Sequence, residues 1–159
     1  MPRILNGEEV LEMACQIERD GRAFYEHAAE LQPEGPAKKL LEELAAMERA
    51  HEVVFETMKS KAQGASGLDT GHEDVARYLD AAVSGKIFPK DPTARLSAGV
   101  DVHTILTVAL EREKDTVVFY SALRHAVPEE LHRDKLEEII RQEVGHVAMI
   151  SAALHSLDD

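Results

Sequence analysis

Apolar residues recur every three to four positions over four long stretches of this chain, and sustained apolar–polar alternation of the strand type is absent. The pattern predicts an all-α protein. The first helix opens at Asn6, with Glu9 as its capping-box partner, and runs over about 7–31. A second covers about 36–62, after the break Gln32-Pro33-Glu34-Gly35-Pro36, and Gly64-Ala65-Ser66-Gly67 stops it. The third is expected after Asp101 as N-cap and extends to Ala126, and Pro128 begins the fourth, over about 128–157. The crossover 63–100 contains a short helix over Asp74–Val83, ended by Ser84-Gly85, and an irregular stretch Phe88-Pro89-Lys90-Asp91-Pro92. Short turns make each flanking pair an antiparallel hairpin, while the long link allows the third helix to start at either end of a four-helix bundle.

The hairpins resemble each other. Residues 14–55 align without gaps on 109–150 at an offset of 95, with twelve identities in register. They are Ala14/Ala109, Glu18/Glu113, Asp20/Asp115, Phe24/Phe119, Tyr25/Tyr120, Pro33/Pro128, Glu34/Glu129, Leu41/Leu136, Glu42/Glu137, Glu43/Glu138, Glu48/Glu143 and His51/His146. Two copies of one hairpin, related by an approximate two-fold axis, are expected to form a single domain spanning 1–159.

The repeat carries Glu-x-x-His twice, as Glu48–His51 and Glu143–His146. Positions i and i+3 lie on one helical face about 4.5 Å apart along the axis, so a carboxylate and an imidazole can reach one ion. A single such pair is common on solvated helices; two in matching positions of a repeat are not. Glu18 and Glu48 each stand 15 residues from Pro33, as Glu113 and Glu143 do from Pro128. Equal distance from a turn means equal height in a hairpin. Each of the four glutamates interrupts an apolar stripe, exemplified by Leu41, Leu44, Phe55 and Met58 on the second helix and Leu136, Ile139, Ile150 and Leu157 on the fourth. They are therefore expected to face inward at one level. Four buried carboxylates demand cations, since an unpaired buried charge costs several kcal/mol. Two divalent ions would balance them, with Glu18, Glu48, His51, Glu113, Glu143 and His146 as ligands. Mixed carboxylate and imidazole donors suit iron, with manganese or zinc as substitutes.

Composition narrows the picture further. The 159 residues include 30 acidic and 18 basic ones, for a formal charge of −12, which argues against nucleic acid as a partner. No apolar run is long enough for a bilayer, and Met1-Pro2-Arg3-Ile4-Leu5-Asn6 lacks the form of a secretory signal. The single cysteine, Cys15, suits a reducing cytoplasm and is expected to act as a small buried hydrophobe. Phe24, Phe55 and Phe119 are expected in the core, and His27, His72, His103, His125, His132 and His155 at the surface or at caps.

Ile17-Glu18-Arg19-Asp20-Gly21-Arg22-Ala23-Phe24-Tyr25, its counterpart Arg112–Tyr120, and Ala46-Met47-Glu48-Arg49-Ala50-His51 resemble the helix signatures of the rubrerythrin-like branch of the ferritin-like superfamily. The resemblance covers the four helices. It implies a ferritin-like four-helix bundle around two iron ions per chain, and an oxidoreductase that reduces hydrogen peroxide or dioxygen. The chain departs from that pattern twice. It lacks the Cys-x-x-Cys pairs of a rubredoxin-like site, so electrons must come from an external donor such as a rubredoxin-like protein. It also has Thr116 where rubrerythrins carry a further glutamate, leaving a symmetric ligand set. Tyr25 and Tyr120, seven residues after Glu18 and Glu113, are candidates to hydrogen-bond ligating carboxylates and orient bound molecules. A homo-oligomer, most simply a dimer, is expected. The other readings are an iron-binding protein that oxidises and stores or buffers the metal without turnover, and a structural helical dimer with a vestigial site.

Overall fold

The computed structural model describes residues 5–63 and 70–159. They form α1 (Gly7–Glu30), α2 (Pro36–Lys61), α3 (Glu73–Val83), α4 (Val102–Ala126) and α5 (Arg133–Asp158), with a 3-10 turn at Glu129–Leu131. The four long helices and the short crossover helix match the pattern of apolar positions. The glycine-containing stop at Gly64–Gly67 and the first four residues lie outside the described residues.

The start signals act as read. Asn6 Oδ1 accepts from the Glu9 amide at 2.8 Å, and the Glu9 carboxylate accepts from the Asn6 amide at 3.0 Å. Both bonds satisfy donors that the first helical turn leaves free. Asp101 caps α4 by accepting from the Thr104 amide at 2.7 Å. The fourth long helix begins later than Pro128 suggests. Pro128 leads into the 3-10 turn, and His132 then takes the left-handed conformation (φ 64°, ψ 50°) before α5 starts at Arg133. In the other hairpin a glycine fills the positive-φ position, Gly35 at φ 154°, just before Pro36 opens α2.

Helix directions follow from side-chain partners. On α1 and α4, residue 18 meets 120 while residue 25 meets 113, so these helices run antiparallel. On α2 and α5, residue 47 meets 146 while residue 51 meets 142, and they too are antiparallel. With each hairpin antiparallel, the order is up-down-down-up. The crossover must therefore travel the length of α2, ~39 Å for a helix of this size. It does so along one side of the bundle.

Two apolar cores result, one at each end. Leu11, Ile17, Phe55, Met58, Phe119, Leu123 and Leu136 build one, onto which α3 docks through Leu79 and Ala82. Phe24, Leu41, Leu44, Ile105, Leu106 and Ile150 build the other. The crossover contributes Phe88 to the first and Leu96 to the second, which marks its passage from end to end. Leu157, expected on the inward stripe of the last helix, is instead 46% exposed, in the helix's final turn. Between the cores lies a polar layer.

Candidate metal centre

Glu18, Glu48, His51, Glu113, Glu143 and His146 are all buried, at 3% exposure or less, and all lie in that layer. Their ligand atoms form two overlapping groups. Glu18, Glu48, His51 and Glu143 make one; Glu48, Glu113, Glu143 and His146 make the other, each with atoms within 4.8 Å of one another. Glu48 and Glu143 belong to both. An ion in each group would have its own glutamate and histidine and would share the two carboxylates with its neighbour. The six residues expected from the repeat are thus brought together.

Both histidines point Nδ1 into the layer. His51 Nδ1 lies 2.9 Å from Glu143 Oε1 and 3.6 Å from Glu18 Oε1. His146 Nδ1 lies 3.0 Å from Glu143 Oε2, 3.7 Å from Glu113 Oε1 and 3.8 Å from Glu48 Oε1. The rings stack nearly parallel, with centroids 5.9 Å apart. Glu18 Oε2, Glu48 Oε1, Glu143 Oε2 and His146 Nδ1 make no hydrogen bond although they are inaccessible. Buried polar atoms are rarely left so. Oxygen and imidazole nitrogen atoms that converge and lack donors are a fitting cage for hard or borderline cations.

The tyrosines cross between hairpins. Tyr120 donates its hydroxyl to Glu18 Oε1 at 2.5 Å, and Tyr25 donates to Glu113 Oε1. Each therefore fixes the lone glutamate of the opposite half. Burial pushes both phenols well above their ordinary range, Glu113 and Glu48 adding to the effect on Tyr25 and Glu18 and Glu143 on Tyr120. They remain donors.

Gly21 explains how α1 comes so close. A Cβ there would stand 3.0 Å from Glu48 Cδ, nearer still to Oε2, and 3.2 Å from Arg112 Nη2. Thr116 occupies the matching position on α4, where its hydroxyl turns back to the Arg112 carbonyl at 3.0 Å. It offers nothing to the ions. Arg112 stands beside Gly21, its Nη2 donating to the Ile17 carbonyl at 2.5 Å. A guanidinium thus reaches the edge of the layer, although Arg112 itself is on a neighbouring face of α4.

The repeat leads one to expect all four carboxylates to be pushed upward together. Three are. Burial raises Glu18 and Glu48 well above the usual range, reinforced by the charge of Glu143 on Glu18 and of Glu18 and Glu143 on Glu48. Burial and Glu143 raise Glu113 to about 7. Glu143 goes the other way. Burial opposes its ionisation too, but the imidazoles of His146 and His51 outweigh that and hold it well below the usual range. Reciprocally, burial works to lower both histidines, yet Glu143 raises His51, and Glu113 with Glu143 lifts His146 to about 10. The pairwise symmetry of the sequence hides this, because one carboxylate placed between two imidazoles takes the charge that four identical ones would have refused.

Cys15 is buried, as expected of a small apolar side chain, and burial with Glu56 pushes its thiol up to about 12. Glu12, Cys15 and Glu56 stand close enough to suggest another metal group. Their carboxylates are already taken. Arg19 binds Glu12 at 2.7 Å and Glu56 at 3.1 Å, and Lys59 binds the same two at 2.6 and 3.3 Å.

Fold and polar layer together define a helical-bundle protein with a buried cluster of carboxylates and imidazoles of the kind that holds metal. The rubrerythrin family profile matches residues 9–154, and the chain belongs to that family. A solved Thermotoga maritima chain described as a ferritin-like diiron-carboxylate protein has the same fold, with a TM-score of 0.72, 23% identity and 98% of each chain covered. No curated protein matches the chain. Among the described residues no helix is long and apolar enough to cross a membrane.

Proposed function

We propose that this protein is a di-iron oxidoreductase that reduces hydrogen peroxide or dioxygen with electrons from an external donor. The observation that carries this is the pair of overlapping ligand groups, Glu18, Glu48, His51, Glu143 and Glu48, Glu113, Glu143, His146, buried between two apolar cores with oxygen atoms left without donors. Two ferrous ions held there would supply the two electrons that convert one peroxide and two protons to two waters. The chain's own residues would do the rest. Glu18 and His51 would hold one ion and Glu113 and His146 the other, with Glu48 and Glu143 within reach of both. Tyr25 and Tyr120 keep the lone glutamates in place, and Phe24, Phe55 and Phe119 keep bulk water from the layer. A reducing, cytosolic setting and a dimeric state belong to the same reading.

The test is an anaerobic titration of reduced, iron-loaded protein with peroxide. About one equivalent per iron pair should complete oxidation, after which turnover stalls until a reductant system is added. Sustained turnover without any donor would overturn the proposal. So would a closed multi-subunit shell that accumulates iron beyond two ions per chain, which would support storage.

A further inference from the structure

Although the six ligands repeat across the two halves, the groups behind the histidines do not. Position 142 repeats position 47, and one is glutamine where the other is methionine. Both are half-buried and face the outer nitrogen of the opposite histidine. His51 Nε2 lies 2.7 Å from Gln142 Oε1, whereas His146 Nε2 lies 3.3 Å from Met47 Sδ. The direction of the first contact is settled by a further link. Gln142 Nε2 donates to Glu138 Oε1 at 3.2 Å, so its amide oxygen faces the ring and His51 Nε2 must be the donor.

We infer that the two ion positions are inequivalent, with Gln142 as a positioning residue that makes the Glu18/His51 position the tighter one. This rests on the metal-site reading above. An amide oxygen is a strong acceptor; a thioether is a weak one. A strong acceptor on Nε2–H fixes the ring's orientation and its tautomer, leaves the Nδ1 lone pair turned inward, and raises its basicity toward a cation. His51 has all three advantages through the chain Glu138–Gln142–His51. His146 has the same inward Nδ1, but only sulfur behind it. Losing such an outer partner typically lowers metal affinity about 10–100-fold, so the difference should be of that size. One ion should enter first at Glu18/His51, and the second should complete the pair at Glu113/His146.

Zinc(II), which is redox-inert, separates the positions when one is kept complete in the full chain and the other loses its own glutamate. Glu113→Ala keeps Glu18, Glu48, His51 and Glu143 complete and leaves the other position only Glu48, Glu143 and His146; Glu18→Ala keeps Glu48, Glu113, Glu143 and His146 complete and leaves the first only Glu48, His51 and Glu143. Calorimetric titration should give the Glu113→Ala protein a Kd about 10–100-fold lower than the Glu18→Ala protein. Adding Gln142→Met to the former should raise its Kd at least tenfold. Adding Met47→Gln to the latter should lower its Kd similarly, a gain that damage to packing would not produce. Equal affinities in the two singly substituted proteins, or affinities that ignore both exchanges, would overturn the inference. Failure of the unsubstituted chain to bind zinc at all would instead overturn the metal-site reading beneath it.

Discussion

Tyr120 and Glu18 are separated by 102 positions in sequence, yet the tyrosine hydroxyl donates to Glu18 Oε1 at 2.5 Å with both side chains fully buried. Removing the hydroxyl leaves a buried carboxyl group short of a donor, at a cost of about 1–3 kcal/mol. Tyr120→Phe should lower the stability of metal-free protein by that amount in denaturant titrations. In a Glu18→Ala background the same change should cost much less, since the partner is already gone. Equal costs in the two backgrounds would show that the contact is not what Tyr120 contributes. Metal content should survive Tyr120→Phe, because every ligand remains.

Gly21 and Gly145 both lie inside helices, but only one has room for a methyl group. A Cβ at Gly145 meets nothing within 4 Å, whereas one at Gly21 collides with the Glu48 carboxylate. Gly145→Ala should therefore stabilise the protein by about 0.5–1 kcal/mol through helix propensity. Its metal content should not change. Gly21→Ala should displace a carboxylate that both ion positions share and lower the bound metal. The prediction fails if metal analysis finds the same content in both variants.

Glu111 and Glu113 are neighbours on α4 with opposite surroundings. Glu111 is exposed and paired with Arg95 at 2.8 Å, while Glu113 is buried in the polar layer. Glu113→Ala should reduce metal content, and Glu111→Ala should leave it intact. The reverse pattern would mean that the helix register is wrong.

The titrating groups set a pH dependence of definite sign. Glu113 is raised in the fold to about 7, so the stability it contributes is fully present below its unfolded value near 4.5 and is lost as pH rises to about 7. His146 contributes below about 6.5 and loses its share as pH climbs toward 10. Glu143 is depressed, so its share is present above 4.5 and disappears only in acid, as pH falls through its folded value. Metal-free protein should accordingly lose stability between pH 5 and 7. Cations compete with the same protons, so the melting temperature gained on zinc loading should grow over that interval. Zinc binding at pH 6 should also release protons, seen as a calorimetric enthalpy that changes with the ionisation enthalpy of the buffer. An enthalpy independent of buffer, with a loading gain flat from pH 5 to 7, would contradict this account.

Much of this was readable in the chain because it depends on spacing. Glu18 and Glu48 lie equally far from Pro33, and a hairpin turns equal distance into equal height; the same holds for Glu113 and Glu143 around Pro128. The end of the bundle at which α4 begins was not readable, because the long link permits both. It is decided by contacts such as Tyr25 with Glu113, which need the two hairpins docked. Pro128 gave the wrong start for α5 because a proline suits the first position of a helix and equally a residue leading into a 3-10 turn. Nothing local distinguishes these until His132 takes positive φ. The different titration of Glu143 was hidden for another reason. It depends on which carboxylate sits nearest both imidazoles, a difference of less than an ångström that sequence identity cannot resolve.

The crossed tyrosines carry an implication for ancestry. One hairpin alone has two carboxylates, one imidazole and a phenol aimed at a glutamate it does not own. Two identical hairpins, paired about a two-fold axis, would complete the cage, each lending its tyrosine to the other. The present chain has the layout expected if a half-length ancestor worked as such a pair and its gene was later duplicated and fused. While the halves were encoded by one gene, any change appeared on both sides of the cage at once. Duplication lifted that constraint, and glutamine at one position against methionine at its counterpart is the kind of divergence that two separately encoded halves can keep.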